Sequence, residues 1–211
     1  MNKYIFTTSY LEIVIPYPNN ISSMKTSLDP NTWAIPSPVW VVGSYDKEGE
    51  PNVMTAAWGG ICNSKPPSIY VSLREATYSY GNIMERKAYT VSIPGDRYVK
   101  EADYIGIVSG RNTDKLKDTV LTPVKSDLVD APYVYEFSLV LECKVVHVKK
   151  LGLHTIFVGE IIGIKADEEV LTNGRPDFQK IRPILFSSGD RGYHSVGSRI
   201  MDAFTQKNPP K

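Results

Sequence analysis

Apolar and polar positions alternate with a period of two along much of this chain, the mark of strands with one buried face. Val39-Trp-Val-Val-Gly-Ser-Tyr45 is apolar and β-branched and predicts a strand. Asp46-Lys-Glu-Gly-Glu-Pro51 has turn chemistry, and Asn52 to Trp58 returns as the hairpin partner. Ser68 to Arg74, after Pro66-Pro67, and Ala88 to Ile93, before Pro94-Gly95, predict two more strands. The period changes twice. Thr77 to Lys87 carries Tyr80, Ile83 and Met84 at helical spacing with Thr77 as cap, and Asp96 to Ile107 places Tyr98, Ala102 and Ile105 on one side. Val108 to Asp130 is polar and turn-rich and reads as a long surface excursion.

The strongest hairpin signal comes late. Tyr135 to Lys149 and His154 to Ala166 are long strand runs around Lys150-Leu-Gly-Leu153, with Leu139, Leu141, Cys143 and Val145 on one face. The alternation slips at Val145-Val146, which predicts a β-bulge there. Ile184 to Phe186 predicts a short strand and Gly197 to Phe204 a closing helix. Strands that do not alternate with helices argue against a doubly wound sheet. The expected fold is mainly β with helical inserts, a closed or partly closed barrel. Residues 24–211 read as a single domain, preceded by an extension or arm at 1–23.

Composition narrows the function classes. Lys and Arg number 24 against 23 Asp and Glu, a formal charge of +1, which argues against a dedicated nucleic-acid binder. No stretch approaches the ~20 apolar residues of a membrane span. In the apolar run Tyr10 to Tyr17, Glu12 and Pro16 interrupt, and no small-residue cleavage site follows, so a signal peptide fits poorly. Two cysteines, Cys62 and Cys143, give no disulfide framework and suit a cytoplasmic setting.

The motifs of common catalytic sites are missing: no GxGxxG, no P-loop, no HExxH and no GxSxG. His147 and His154 are expected to face each other across the hairpin, without a third metal ligand, and no metal is assigned. Thr55, Ala56 and Ala57 let backbone amides approach a ligand, Trp58 offers a flat surface, and Arg74 brings a fork suited to phosphate. Thr77 stands at a helix start that favours an anion. Together they suit a ligand with a flat ring at one end and a phosphate at the other. The same residues also read as a plain strand end and a surface charge, and on physical grounds alone the two stay open.

The ordered series Asn52-Val-Met-Thr-Ala-Ala-Trp58, Pro66-Pro67, Arg74 with Thr77-Tyr78, and Ser109-Gly-Arg-Asn-Thr-Asp-Lys115 resembles the flavin reductase-like family, in its flavoredoxin branch. The resemblance spans about Thr32 to Gly197. It implies an FMN-binding split barrel, FMN held without a covalent bond near a homodimer interface, and an oxidoreductase. NAD(P)H or a redox protein would be the electron donor. The alternative is a non-catalytic FMN-binding or electron-carrier protein, and a flavin-free module built on an Arg74 anion pocket is a further rival. Carried over by resemblance, Thr55, Ala56, Ala57 and Trp58 line the ring and ribityl chain, and Cys62 sits on a loop facing the flavin. Ser72, Leu73, Arg74, Thr77 and Tyr78 form the phosphate end, with Lys115 as a second phosphate cation and Arg111 as a loop charge. No side chain is assigned as catalytic. Gly59-Gly60 departs from the family pattern and is expected to loosen the loop before Cys62.

Overall fold

The structure, a computed structural model, describes residues 25–207 and Pro209. The expected arm at 1–23 lies outside the described residues. The chain divides into two compact units between Thr32 and Trp33. Residues 25–32 have no regular structure. All the elements that follow belong to the second unit.

Strands β1 (Ser37–Pro38), β2 (Trp40–Tyr45), β3 (Pro51–Ala56), β4 (Gly59–Ser64) and β5 (Pro67–Arg74) precede helix α1 (Tyr78–Arg86) and strand β6 (Ala88–Ile93). A 3-10 turn at Asp96–Tyr98 leads into α2 (Val99–Ile107), followed by α3 (Lys115–Thr119) and the short strands β7 (Pro123–Lys125) and β8 (Pro132–Val134). The long hairpin is β9 (Leu139–Leu151) and β10 (His154–Ala166). The remainder is β11 (Leu171–Thr172), β12 (Arg175–Pro176), α4 (Phe178–Ile181), β13 (Leu185–Ser187) and β14 (Gly192–His194).

Seven strands form one sheet in the order β3-β2-β6-β9-β10-β5-β4. Its two edge strands, β3 and β4, are consecutive in the chain, with only Ala57 and Trp58 between them. Laid flat, seven strands at ~4.8 Å spacing would hold their edges ~29 Å apart, while the short link spans at most ~10 Å. The sheet is therefore rolled until its edges meet at Ala57-Trp58. This is the split barrel expected from the sequence, and the segment singled out for chemistry lies at its seam.

Alternation along the strands sorts the side chains into two main cores. Val42, Ala56, Val71, Leu73, Tyr89, Val91, Cys143 and Phe157 pack on the inner face, where α1 contributes Ile83 and sets Tyr80 edge-on to Phe157. Val41 and Val53, one position out of phase with Val42 and Met54, turn the other way and pack under α2 and α3 with Ile105, Leu116, Leu121 and Phe137. Each such buried side chain stabilises the fold by ~1.5–3 kcal/mol.

The expected bulge is present. Val145 pairs with Gly159 and His147 with Val158, which leaves Val146 as the extra residue. Gly159 is required there, since a Cβ would come within 2.5 Å of the Tyr89 hydroxyl.

Four expectations change. Gly59 to Ser64 is a strand, not a loop, and a Cβ on Gly59 would sit 2.4 Å from the Trp40 ring, so this glycine serves packing rather than flexibility. Residues 108–130 are not a surface excursion, because Lys115, Leu116, Leu121 and Ser126 are buried. Residues 197–204 form no helix; Ile200 and Phe204 stand exposed in an irregular tail. His147 and His154 do not face each other, since a two-residue turn puts His154 opposite Leu151 and leaves His147 opposite Val158.

Candidate functional site

β3 is an edge strand, and its pairing decides which backbone groups are available. The Lys115 Nζ donates to the Val53 carbonyl at 2.9 Å and to the Ile105 carbonyl at 3.0 Å, so Val53 turns its peptide groups away from β2 toward the open edge. Thr55, two positions on and opposite Val41, turns its own the same way. The Thr55 hydroxyl donates to the Ala102 carbonyl at 2.5 Å, tying β3 to α2.

Beside this edge lie two cavities of about 200 and 370 Å³ that share Tyr78, Gly110 and Lys115. The smaller runs between Ala76 to Ser79, at the start of α1, and Ile105 to Gly110, after α2, with Met54 at its floor. The larger adds Asp46, Asn52 and Asp114. Together they reach the size of small-molecule sites, roughly 300–1,000 Å³. A still larger cavity, between α4 and the tail at 197–201, holds none of the residues expected to carry chemistry.

Lys115 is the electrostatic centre of the region. It is only 6% exposed, and among the described residues no carboxylate pairs with it. Burial pulls its pKa down to about 8. Isolated buried charges are costly and are normally compensated. A buried ammonium with two carbonyl partners and no counter-charge is the chemistry of an anion or electron-rich ring edge.

At the other wall, Thr77 precedes α1 as expected, but its hydroxyl turns back to the Arg74 carbonyl at 2.8 Å instead of capping the helix. The Tyr78 hydroxyl donates to Asp46 at 2.9 Å; desolvation first and this bond second raise the Tyr78 pKa, while desolvation of Asp46 is outweighed by donors from the Glu50 amide, the Tyr78 hydroxyl and the Glu48 and Gly49 amides, so that its pKa is lowered. Arg111 is not a free loop charge: its Nη1 donates to the Ala76 carbonyl at 2.8 Å and its guanidinium lies 5.5 Å from the Tyr78 ring centre.

Thus Thr77, Tyr78 and Lys115 meet at the cavities, and Thr55 abuts them from β3. Trp58 stands at the seam, stacked on His154 with ring centres 4.4 Å apart. Arg74 is exposed at the end of β5, in register with that His154. Ala56 and Leu73 bury their side chains in the inner core, and only their backbone can reach a ligand. The Ser72 amide donates to the Trp58 carbonyl, fastening β5 to the seam. Ala57 completes the link between the edges. Cys62 stands apart: it is the extra residue of a bulge on β4, exposed and outside both cavities.

The sequence assigns no ligand role to Asp46, Asn52, Met54, Gly106 and Gly110, which line the cavities, to Arg111, which bonds Ala76, or to His154, which stacks on Trp58. The Ser109-to-Lys115 run carries a signal for Gly110 and Arg111, but the resemblance assigns only its lysine to the cofactor. His154 was visible as a histidine, but its stacking depends on a register that only the structure supplies.

A flavin mononucleotide fits these residues on three grounds. The open edge of β3 offers backbone donors and acceptors for a polar ring edge. Lys115 offers an unpaired charge. Gly106 and Gly110 bring bare backbone to the cavity wall and pack tightly against it, a Cβ falling 3.2 Å from Thr55 at Gly106 and 2.1 Å from the Asn52 amide oxygen at Gly110.

A barrel rolled from one seven-stranded sheet and split at the seam is the architecture of flavin reductase-like proteins. Residues 32–196 match the flavin reductase like domain, and the chain belongs to that family. The structure is similar to the flavoredoxin of Desulfovibrio vulgaris (Miyazaki F), with 49% identity, a TM-score of 0.84, and coverage of 88% of this chain and 100% of that one. It is also similar to the flavoredoxin from Methanosarcina acetivorans, at 31% identity, a TM-score of 0.82, and coverage of 87% and 97%. A protein of Archaeoglobus fulgidus with no assigned function is 33% identical over 128 residues, 61% of this chain and 72% of its own. FMN, the cofactor expected from the sequence, agrees with this family. Among the described residues no helix is long and apolar enough to cross a membrane.

Proposed function

We propose that this chain binds FMN at the barrel seam and works as a flavin-dependent oxidoreductase, passing electrons from NAD(P)H or a redox protein to an acceptor. The observation that carries the reading is Lys115, a buried cation without a counter-charge at the junction of two cavities beside the open edge of β3.

FMN would supply hydride and electron transfer, and the protein would bind, orient and shield it. Thr55 and Ala57 present backbone groups to the polar edge of the ring. Lys115, which the resemblance gave as a second phosphate cation, places positive charge beside that edge instead, since its bonds to Val53 and Ile105 hold it against β3. Trp58, braced by His154, borders the ring face, while Arg74 and Thr77 hold the phosphate. No side chain has to act as acid or base, in keeping with the missing catalytic motifs. The likeness to two flavoredoxins at 49% and 31% identity supports this reading.

The active form is a homodimer. Exposed apolar side chains gather on the β9–β10 hairpin and on edge strand β4: Val146, Val148, Leu151, Leu153, Ile162 and Ile61, the last 83% exposed. Such groups on a soluble surface mark contact with another protein.

The test is a titration of the ligand-free protein with FMN, followed by steady-state oxidation of NADH or NADPH. FMN binding with turnover supports the reading. FMN binding without turnover from either nucleotide, or from a reduced redox protein, would leave a passive carrier. No FMN binding would remove the site.

A further inference from the structure

The smaller cavity has two walls from distant parts of the chain, Ala76 to Ser79 and Ile105 to Gly110. The second wall continues into a largely exposed segment, Ser109 to Asp114, which touches the first wall through Gly110 and Arg111. We infer that Arg111 is a positioning residue: it latches this segment over the start of α1 and so sets how long the cofactor stays bound. The inference rests on the FMN reading above.

Three contacts seat the segment. The Arg111 guanidinium donates to the Ala76 carbonyl, thirty-five positions away, at 2.8 Å. It also covers the Tyr78 ring at 5.5 Å, an arrangement in which a cation is attracted to an aromatic face. Next to it, Gly110 lies so close to Asn52 and Tyr78 that a Cβ would fall 2.1 Å from the Asn52 amide oxygen and 2.9 Å from the Tyr78 ring. The surfaces it rests on are themselves fixed. The Tyr78 hydroxyl is held by Asp46, and the Asn52 amide donates to the Ser79 hydroxyl at 2.8 Å in a buried contact. Arg111 is thus an exposed side chain that joins a surface segment to an anchored wall.

On this inference a ligand enters and leaves the cavity by parting these walls, and the Arg111 contacts, already formed in the ligand-free chain, oppose the parting and so slow release and entry alike. Arg74 differs: it lies at the end of β5, outside both cavities, and as a permanent cation facing solvent it steers an anion inward and acts on the association rate.

The experiment measures FMN association and dissociation rates by stopped-flow fluorescence for the wild type, Arg111→Met and Arg111→Lys. Methionine keeps an apolar cover on Tyr78 but loses the charge and the hydrogen bond. Arg111→Met is expected to release FMN about tenfold faster, the size of one hydrogen bond plus an exposed cation–ring contact, and to take it up faster as well, because entry uses the same opening. Arg111→Lys, which can still reach a carbonyl, is expected to recover part of the loss. Unchanged dissociation would overturn the latch. So would a loss confined to association that steepens or flattens with salt, since Arg111 would then be a phosphate-steering charge. Hydrogen exchange of the ligand-free proteins separates this from failure of the FMN reading. Amides of residues 109–114 should exchange several times faster in Arg111→Met even if no FMN binds, and equal exchange contradicts the latch.

Discussion

The ammonium of Lys115 bonds to the carbonyl of Val53 at 2.9 Å, which fastens the start of α3 to the outer edge of the barrel seam. The bond satisfies a backbone group of an edge strand and also places a positive charge where a flat ligand would meet β3.

That charge is held against its burial, and its pKa falls to about 8 from the usual value of 10.5. The sign of the linkage follows. Between pH 8 and 10.5 the unfolded chain binds more protons at this position than the folded one, so this residue makes stability rise with pH across that window. Below pH 8 the lysine is charged in both states and the full burial penalty stands. Lys115→Met should remove this rise, and denaturant unfolding of the ligand-free protein at pH 7.5, 9 and 10 checks it. Equal pH slopes in both proteins would contradict the assignment.

The same group should make FMN binding depend on pH. As pH climbs through about 8, the free protein loses the Lys115 charge, and affinity for an anionic ligand should fall. In Lys115→Met the affinity should be lower at neutral pH and flat across the same range. Fluorescence titrations between pH 6.5 and 9.5 decide this.

Arg74→Ala should weaken FMN binding about ten- to a hundredfold, the size of a charge-assisted phosphate contact. The loss should appear in association and in a shallower salt dependence, because the side chain is exposed at the end of β5. An affinity within twofold of the wild type would show that the phosphate does not lie on the Arg74–Thr77 side.

Gly59→Ala should destabilise the fold while sparing the site. Its Cβ would push into the Trp40 ring at 2.4 Å, and overpacking of this kind costs ~1–3 kcal/mol. For a chain of this size that lowers the melting temperature by about 2–12 °C. FMN affinity of the folded protein should stay within about twofold at 20 °C. An unchanged melting temperature would mean that Trp40 moves aside without cost.

Light scattering at micromolar concentration should give twice the mass of one chain. Ile61→Glu should shift the protein toward the monomer, since this side chain is 83% exposed on the edge strand β4. A wild-type mass of one chain would remove the dimer from the account.

Much of the barrel was legible in the sequence because its strands carry strict alternation between a buried core and a second surface. Even the bulge at Val146 showed, since an extra residue shifts the apolar phase and leaves a trace in the pattern. β4 did not show. Its Gly59-Gly60 and Cys62-Asn-Ser64 lack apolar alternation because the strand is at an edge and mostly exposed, and its first glycine is there to admit the Trp40 ring. The burial of Lys115 could not be read either: lysine is ordinarily a surface residue, and only the meeting of α3 with β3 and α2 encloses it. The segments around Thr55 and Thr77 could be singled out in advance because a run of small residues and a helix start are local features of the sequence. Arg111 could not be distinguished from a loop charge, because the carbonyl it reaches lies thirty-five positions earlier.

The most direct test of the central claim is to remove any bound small molecule, add back FMN and FAD separately, and identify the retained cofactor by absorption and mass spectrometry. The predicted result is one FMN per chain, held tightly enough to survive gel filtration and lost more readily in Lys115→Met and Arg74→Ala. Retention of FAD alone, or of no flavin, by folded wild-type protein would contradict the account.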